Sequence, residues 1–265
     1  MRHITLLTDF GYLDGYPGIM KGVIYRTAPS VQVTDITHSI APQNIQEGAL
    51  VLFRSYRYFP TNTIHVAVID PGVGTNRRPI ALKLGGYYFV GPDNALFSPV
   101  IREARKSNDP VQIIHLNRPQ FWLPQPSYVF HGRDIFAPVA AHLASGVPLE
   151  ELGDPIDDPV LIELDEPVRT PKGWIGKVIA IDHFGNLSTN IMDTHLAEME
   201  QITINVAGHT INGLVKTFGE RPPGELIALI GTDHDLSISV VNGNASSLLG
   251  VKVGDTITVE GKSTK

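Results

Sequence analysis

Three carboxylates in this chain stand where strand-like sequence breaks into a glycine-bearing turn. Ile64-His65-Val66-Ala67-Val68-Ile69 runs into Asp70-Pro71-Gly72-Val73-Gly74-Thr75-Asn76-Arg77-Arg78. Ile4-Thr5-Leu6-Leu7-Thr8 runs into Asp9-Phe10-Gly11, and Ile181 runs into Asp182-His183-Phe184-Gly185-Asn186. A carboxylate at the carboxyl end of a strand sits where open α/β sheets bind ligands. His131, in Phe130-His131-Gly132-Arg133-Asp134, adds an imidazole. Asp70, Arg77 and His131 have definable joint chemistry. A water held between carboxylate and imidazole can be polarised or deprotonated as it attacks. The guanidinium can orient the carboxylate or stabilise developing hydroxide. Taken singly, each has a plainer role open to it. An aspartate before Pro-Gly caps a turn, Arg77 can be a solvated surface charge, and a histidine ahead of a helix can be a structural hydrogen-bonder.

Several chemistries are excluded or disfavoured. The chain has no cysteine, which removes disulfides, thiolate metal sites and cysteine nucleophiles. No G-x-S-x-G elbow is present, which argues against acyl-enzyme chemistry. Asp9-Phe10-Gly11 has the letters of a kinase metal-binding triplet, without a catalytic loop ahead of it or a strand lysine motif. Asp9, Asp35, His38 and Asp70 could be drawn around a metal, but no H-x-H or H-E-x-x-H spacing supports it, and no metal is expected. Gly72 and Gly74 lack the third glycine of a dinucleotide fingerprint.

The elements that must position these residues alternate in type. Strand patterns at 4–8, 31–36, 64–69, 79–84, 87–90 and 112–116 are interleaved with helix patterns near 18–26 and 44–56. In the latter, Ile45, Ala49, Leu52, Phe53 and Tyr56 make one apolar stripe. A last helix from about Asp134 to Ser145 carries Ile135, Phe136, Val139, Ala140 and Leu143, and tolerates Pro138 if that residue lies near its first turn. This βαβ alternation predicts a mostly parallel sheet between helix layers. Residues 146–173 are rich in Pro, Asp and Glu and read as a linker. Short strands at 176–181, 202–206, 226–229, 237–241 and 256–259 follow, separated by Gly, Asn and Asp, and suggest a small antiparallel barrel or sandwich. The division expected is an α/β domain over 1–165 and a smaller antiparallel β-barrel over 166–265. In the second part, Asn242-Gly243-Asn244-Ala245 suits a hairpin turn, or else a polar half-site shared with the Asp182–Asn186 segment.

Composition narrows the partners. Net charge is −6 and no basic run exceeds two residues, so a nucleic-acid surface is not expected. No apolar run approaches the roughly 20 residues of a membrane span. Met1-Arg2-His3 leads straight into strand-like sequence without a signal-peptide pattern, and a cytoplasmic protein is expected.

Taken together, Thr8-Asp9-Phe10-Gly11, Asp70-Pro71-Gly72-Val73-Gly74-Thr75, Gly91-Pro92-Asp93-Asn94, Phe130-His131-Gly132-Arg133-Asp134 and Asp182-His183-Phe184-Gly185-Asn186 resemble, in order and over nearly the whole chain, the S-adenosylmethionine hydroxide adenosyltransferase family. Fluorinases and chlorinases are its relatives. The resemblance implies an N-terminal α/β domain, a C-terminal β-barrel and a homotrimer with sites between subunits. It implies metal-free and cofactor-free hydrolysis of S-adenosyl-L-methionine to adenosine and L-methionine. It places the catalytic set on Asp70, Arg77 and His131, with Arg78 an adjacent rival for the arginine role. It gives Asp9 the ribose hydroxyls and Asp182 the methionine ammonium, and puts Phe130, Phe184, Asn186, Asn244 and Ala245 among the substrate-binding residues. Where the halogenases place Ser-Arg to hold the methionine carboxylate, this chain has Thr232-Asp233 before His234. Two alternatives stand beside the hydrolase: a halide-dependent 5′-halo-5′-deoxyadenosine synthase, disfavoured by the presence of Asp70 and His131, and a non-catalytic module binding S-adenosylmethionine or adenosine.

Overall fold

A computed structural model describes residues 3–163 and 165–263. Met1 and Arg2, where the leaderless start is read, lie outside the described residues, as does Leu164 in the linker. The chain divides into two compact units, residues 1–162 and 163–265.

The first unit contains β1 (His3–Thr8), α1 (Tyr16–Thr27), β2 (Gln32–Thr37), α2 (Ile45–Ser55), β3 (Ile64–Val68), β4 (Pro79–Leu84), β5 (Tyr87–Pro92), α3 (Ser98–Lys106), β6 (Val111–His115), α4 (Ala137–Ala144) and β7 (Asp154–Pro155). The strand order is β2-β1-β3-β5-β4-β6-β7. Pairs β1–β2, β1–β3 and β3–β5 are parallel. β4 runs antiparallel to both β5 and β6, so β6 regains the common direction and the sheet is mostly parallel.

Strand alternation sends neighbouring residues to opposite faces. Leu6, Val66 and Val68 join Met20, Ile24, Val139 and Leu143 in one core, beneath α1 and α4. Leu7, Ala67 and Ile69 join Ala49, Leu52, Val100 and Ile101 in the other, beneath α2 and α3. A strand covered on both faces has no solvated side, which is why Ile64–Val68 reads as a continuous apolar run and is buried throughout. The α2 stripe behaves as its spacing predicts, and Asn44 caps the helix by accepting the Glu47 N–H at 3.1 Å.

The path from β1 to β2 turns one way and the path from β2 to β3 returns across β1. The connection therefore reverses between β1 and β3, whose carboxyl ends carry Asp9 and Asp70. Open α/β sheets leave a crevice at such a reversal.

The second unit contains β8 (Val168–Thr170), β9 (Gly173–Ile181), β10 (Leu187–Met192), α5 (Asp193–Leu196), β11 (Met199–Val206), β12 (His209–Asn212), β13 (Leu226–Ile230), β14 (Asp235–Val240), α6 (Ala245–Leu249) and β15 (Thr256–Ser263). Its order is β12-β11-β15-β9-β10-β14-β13, all antiparallel, with β8 added beside β9. Just past β12, the Val215 N–H donates to the Ala228 carbonyl of β13 at 2.9 Å, which brings the two ends of the sheet together. The result is a nearly closed barrel around Val178, Leu187, Ile191, Ile204, Ile238, Ile257 and Val259.

Candidate active site

Asp70 leaves β3 into a turn knit by its own backbone. The Val73 N–H donates to the Asp70 carbonyl at 3.2 Å, and Thr75 bonds Gly72 through both N–H and hydroxyl. Gly74 adopts φ +76, and a Cβ there would collide with the Tyr128 carbonyl oxygen. This close approach lays the turn against the segment that carries His131. Arg77 thereby grips Asp70 with two prongs. Nε donates to Oδ1 at 3.0 Å, and Nη2 donates to Oδ2. Nη2 also lies 3.0 Å from His131 Nδ1. Both charged side chains are about 95% buried, at 6% and 5% exposure. The guanidinium lies 5.4 Å over the Phe136 ring. Its remaining nitrogen, Nη1, is buried with no hydrogen-bond partner in the protein.

The electrostatics follow from this packing. Burial raises Asp70 above the ordinary carboxylate range, while Arg77 pulls it back. Burial first, and Arg77 second, push His131 below the ordinary imidazole range. A guanidinium can only donate, so His131 Nδ1 accepts, and the neutral ring carries its proton on Nε2.

His131 is delivered by an irregular helix start. Gly132–Phe136 form a π-turn that runs directly into α4, and Pro138 stands in the first turn of α4. Lacking an N–H, Pro138 leaves the Asp134 carbonyl without its helical donor. The Leu123 N–H fills that place at 2.8 Å. The buried Asp134 carboxylate takes both the N–H and the hydroxyl of Ser127 at 2.8 Å, tying the loop before His131 to the helix behind it.

Asp70 and His131 open onto a cavity of about 740 Å³, lined also by Asp9, Phe10, Tyr16, Gln43, Phe130 and Arg133. Asp9, from the end of β1, accepts the Gln43 N–H at 2.7 Å. Phe10, Tyr16 and Phe130 meet edge to face with centroids 5.2–6.0 Å apart, making one aromatic wall. Arg133 lies 5.1 Å over Phe130 and pairs with Asp134. Gln43, Tyr16 and Arg133 were not anticipated as site residues. Arg133 follows His131 by two positions, and that spacing was the signal for it. Gln43 carried no signal, because its reach to Asp9 needs a left-handed backbone, φ 65. Arg78 points elsewhere, with Nε 2.9 Å from Asp93 and Nη1 2.8 Å from Asp158.

In the second unit the structure joins the two polar segments. The Ser246 N–H donates to the Gly185 carbonyl at 3.0 Å. Gly185, at φ +85, packs so closely on Asn244 that any Cβ would overlap that side chain. Asn244 caps α6 by accepting the Ser247 N–H at 2.7 Å, and Ala245 is buried behind it. Asp182 Oδ1 accepts the Phe184 and Asn186 N–H groups at 2.9 and 2.8 Å, and Oδ2 accepts from the Asn186 side chain at 2.8 Å. The Asp182 carboxylate thus organises its own turn and holds Phe184 outward, 71% exposed. His234, in the loop that departs from the halogenase pattern, lies 2.9 Å from Asp193. Among the described residues no group of three or more His, Asp or Glu gathers as metal ligands would.

A mixed α/β sheet with a buried carboxylate–guanidinium pair and an adjoining imidazole at its reversal point, followed by an antiparallel barrel, defines a two-domain protein with enzyme-like polar machinery. Family models for the SAM hydroxide adenosyltransferase N-terminal and C-terminal domains match residues 4–153 and 176–258. The chain belongs to that family. It is 37% identical, over 97% of each chain, to an (R)-S-adenosyl-L-methionine hydrolase of Salinispora arenicola. It is 28% identical to a fluorinase of Nocardia brasiliensis, covering 74% of this chain and 73% of the fluorinase. The crystal structure of an uncharacterized conserved protein from Thermotoga maritima superposes with a TM-score of 0.89 at 38% identity, covering 97% of this chain and 99% of that one.

Proposed function

We propose that this protein hydrolyses S-adenosyl-L-methionine to adenosine and L-methionine. The observation that carries the reading is the buried Asp70–Arg77 pair joined to His131, with Asp70 and His131 opening on the cavity that Asp9 also lines. Full-length likeness to a hydrolase supports it over halide chemistry, since the fluorinase likeness is lower and spans less of the chain.

In this reading the attacking water sits in the cavity against Asp70, whose carboxylate Arg77 orients from behind. Asp70, bound by Arg77 through one lone pair on each oxygen, still has lone pairs to accept the water's proton. Burial makes it a stronger base than an ordinary carboxylate. The oxygen–C5′ bond forms as the C5′–S bond breaks, and the electron pair passes to sulfur. The sulfonium departs as a neutral thioether, so no general acid and no metal is required. His131 takes the second hydrogen of Nη2 and holds the guanidinium in plane. Alignment of water with the C5′–S bond can contribute on the order of 7–11 kcal/mol. Asp9 holds the ribose hydroxyls, and the wall of Phe10, Tyr16 and Phe130 packs against the nucleoside.

The rest of the site comes from Asp182, Phe184, Asn186, Asn244 and Ala245 of another subunit in a homotrimer. Asp182 holds the methionine ammonium. The exposed Tyr12, Leu13, Tyr128 and Val129 suit burial against such a neighbour. The protein acts in the cytoplasm, which cell fractionation tests. No described helix is long and apolar enough to cross a membrane.

The test is incubation with S-adenosyl-L-methionine, with and without halide and with EDTA, followed by identification of products. Adenosine and methionine in every arm support the reading. A halogenated nucleoside, an unconsumed substrate, or a divalent-ion requirement would each overturn it.

A further inference from the structure

The geometry points to His38, together with Thr8 and Asp35, as the positioning group that aims Asp9 into the cavity. This rests on the reading of Asp9 as a substrate-binding carboxylate. His38 and Thr8 are fully buried, and the proposed chemistry uses neither. His38 Nδ1 lies 2.8 Å from the Thr8 hydroxyl, and that oxygen accepts the Phe10 N–H at 3.2 Å. On the other side of the ring, Nε2 lies 3.1 Å from Asp35 Oδ1, an electrostatic contact rather than an aligned hydrogen bond. Asp35 Oδ2 is held by Lys21 Nζ at 2.6 Å. One imidazole therefore ties the end of β1 to β2 and, through Asp35, to α1.

The same residue grips the far side of the turn. The His38 carbonyl accepts the Gly11 N–H at 2.8 Å. Asp9 lies between these two anchor points, Thr8 before it and Gly11 after it. Its carboxylate is held from a third side by the Gln43 N–H, five residues beyond His38. An apolar side chain at 38 would fill the space, but it could accept nothing from Thr8. The Thr8 oxygen would then lose its fixed orientation toward Phe10. A carboxylate that fixes an imidazole's orientation, which in turn fixes a hydroxyl, is a means of preorganising a site. Here the oriented object is the backbone that presents Asp9.

The test compares Thr8→Val, Thr8→Ser and Asp9→Ala. Thr8→Val should raise the dissociation constant for adenosine and the KM for S-adenosyl-L-methionine roughly tenfold, with kcat within about twofold of wild type. Amide exchange at Phe10 and Gln43 should accelerate while Val66 and Val68 in the sheet stay protected. Thr8→Ser, which keeps the hydroxyl, should restore both readouts. Adding Thr8→Val to Asp9→Ala should weaken adenosine no further, because the effect runs through Asp9. Unchanged binding and exchange in Thr8→Val, a loss confined to kcat, or additive losses in the double variant would each overturn the inference. A wild-type protein that leaves S-adenosyl-L-methionine intact would defeat the hydrolase reading instead, and the exchange measurement would still decide the clamp.

Discussion

Arg77 Nη2 and His131 Nδ1 lie 3.0 Å apart, and the contact joins a permanent donor to a titratable acceptor. Protonating His131 would set a second cation against the guanidinium and turn an acceptor into a competing donor. Low pH attacks the cluster from two directions, since Asp70 also loses its basic form when protonated.

The pH profile follows. Asp70 is raised above its usual 3.8, and His131 is lowered below its usual 6.5. Turnover should therefore stay level down to about pH 6.5 and collapse between there and about 3.8. Initial rates across this range check it, and an acid limb centred above the ordinary histidine value would contradict it.

Asp70→Asn keeps the shape of the side chain and removes the proton acceptor. Turnover should fall by about 10²–10⁴-fold, with adenosine binding little changed. Arg77→Lys should also lose turnover, because a single ammonium cannot reproduce the two-pronged grip. Kinetics alongside calorimetric titration with adenosine separate rate from affinity.

Gly74→Ala tests the packing that brings the cluster together. The new methyl meets the Tyr128 carbonyl, and the backbone is left-handed, so the turn must move away from the His131 segment. The cost should exceed about 1 kcal/mol in unfolding free energy, with a loss of turnover larger than stability alone explains. Denaturant midpoints and rates measured on the same preparation decide it.

His65 sets a separate pH dependence, of stability. It is fully buried, accepts or donates with Thr5 at 2.7 Å, and is ringed by Tyr56, Phe59, Tyr87 and Phe89. Burial pushes its pKa from 6.5 down to about 3. The unfolded chain binds the proton first as pH falls, so the stability is complete above 6.5 and is lost progressively toward about 3. The slope from one such group approaches about 1.4 kcal/mol per pH unit. His65→Phe should flatten urea midpoints measured between pH 7 and pH 4.5; an unaltered slope would remove His65 as the cause.

Mixing tests the shared site. Asp70→Ala and Asp182→Ala should each be inactive, and exchange of subunits between them should restore part of the activity. In a mixed trimer one interface can pair a wild-type first unit with a wild-type second unit. An active monomer by light scattering, or no rescue after confirmed exchange, would refute the assembly.

The strand-end positions of Asp9 and Asp70 were legible in the sequence, because a continuous apolar run followed by Pro-Gly or Gly marks where a covered strand breaks. The layering was legible for the same reason: period-2 and period-3.6 patterns assign each side chain a face before any partner is known. The Asp182–Asn186 and Asn242–Ala245 segments could be read as turns or as parts of one polar half-site, but the packing of Gly185 on Asn244 that joins them could not. Nor could which of Arg77 and Arg78 pairs with Asp70. Adjacent residues on an irregular loop have no period to separate them, and the decision fell to Gly74 packing on Tyr128 and to Asp93 and Asp158 capturing Arg78. The tautomer of His131, the raised Asp70 and the buried His38 relay likewise depend on distances between segments far apart in the chain. Local sequence determines which way a side chain leaves its strand or turn; burial and hydrogen-bond matching, which set its charge and its partners, arise when the layers close over it.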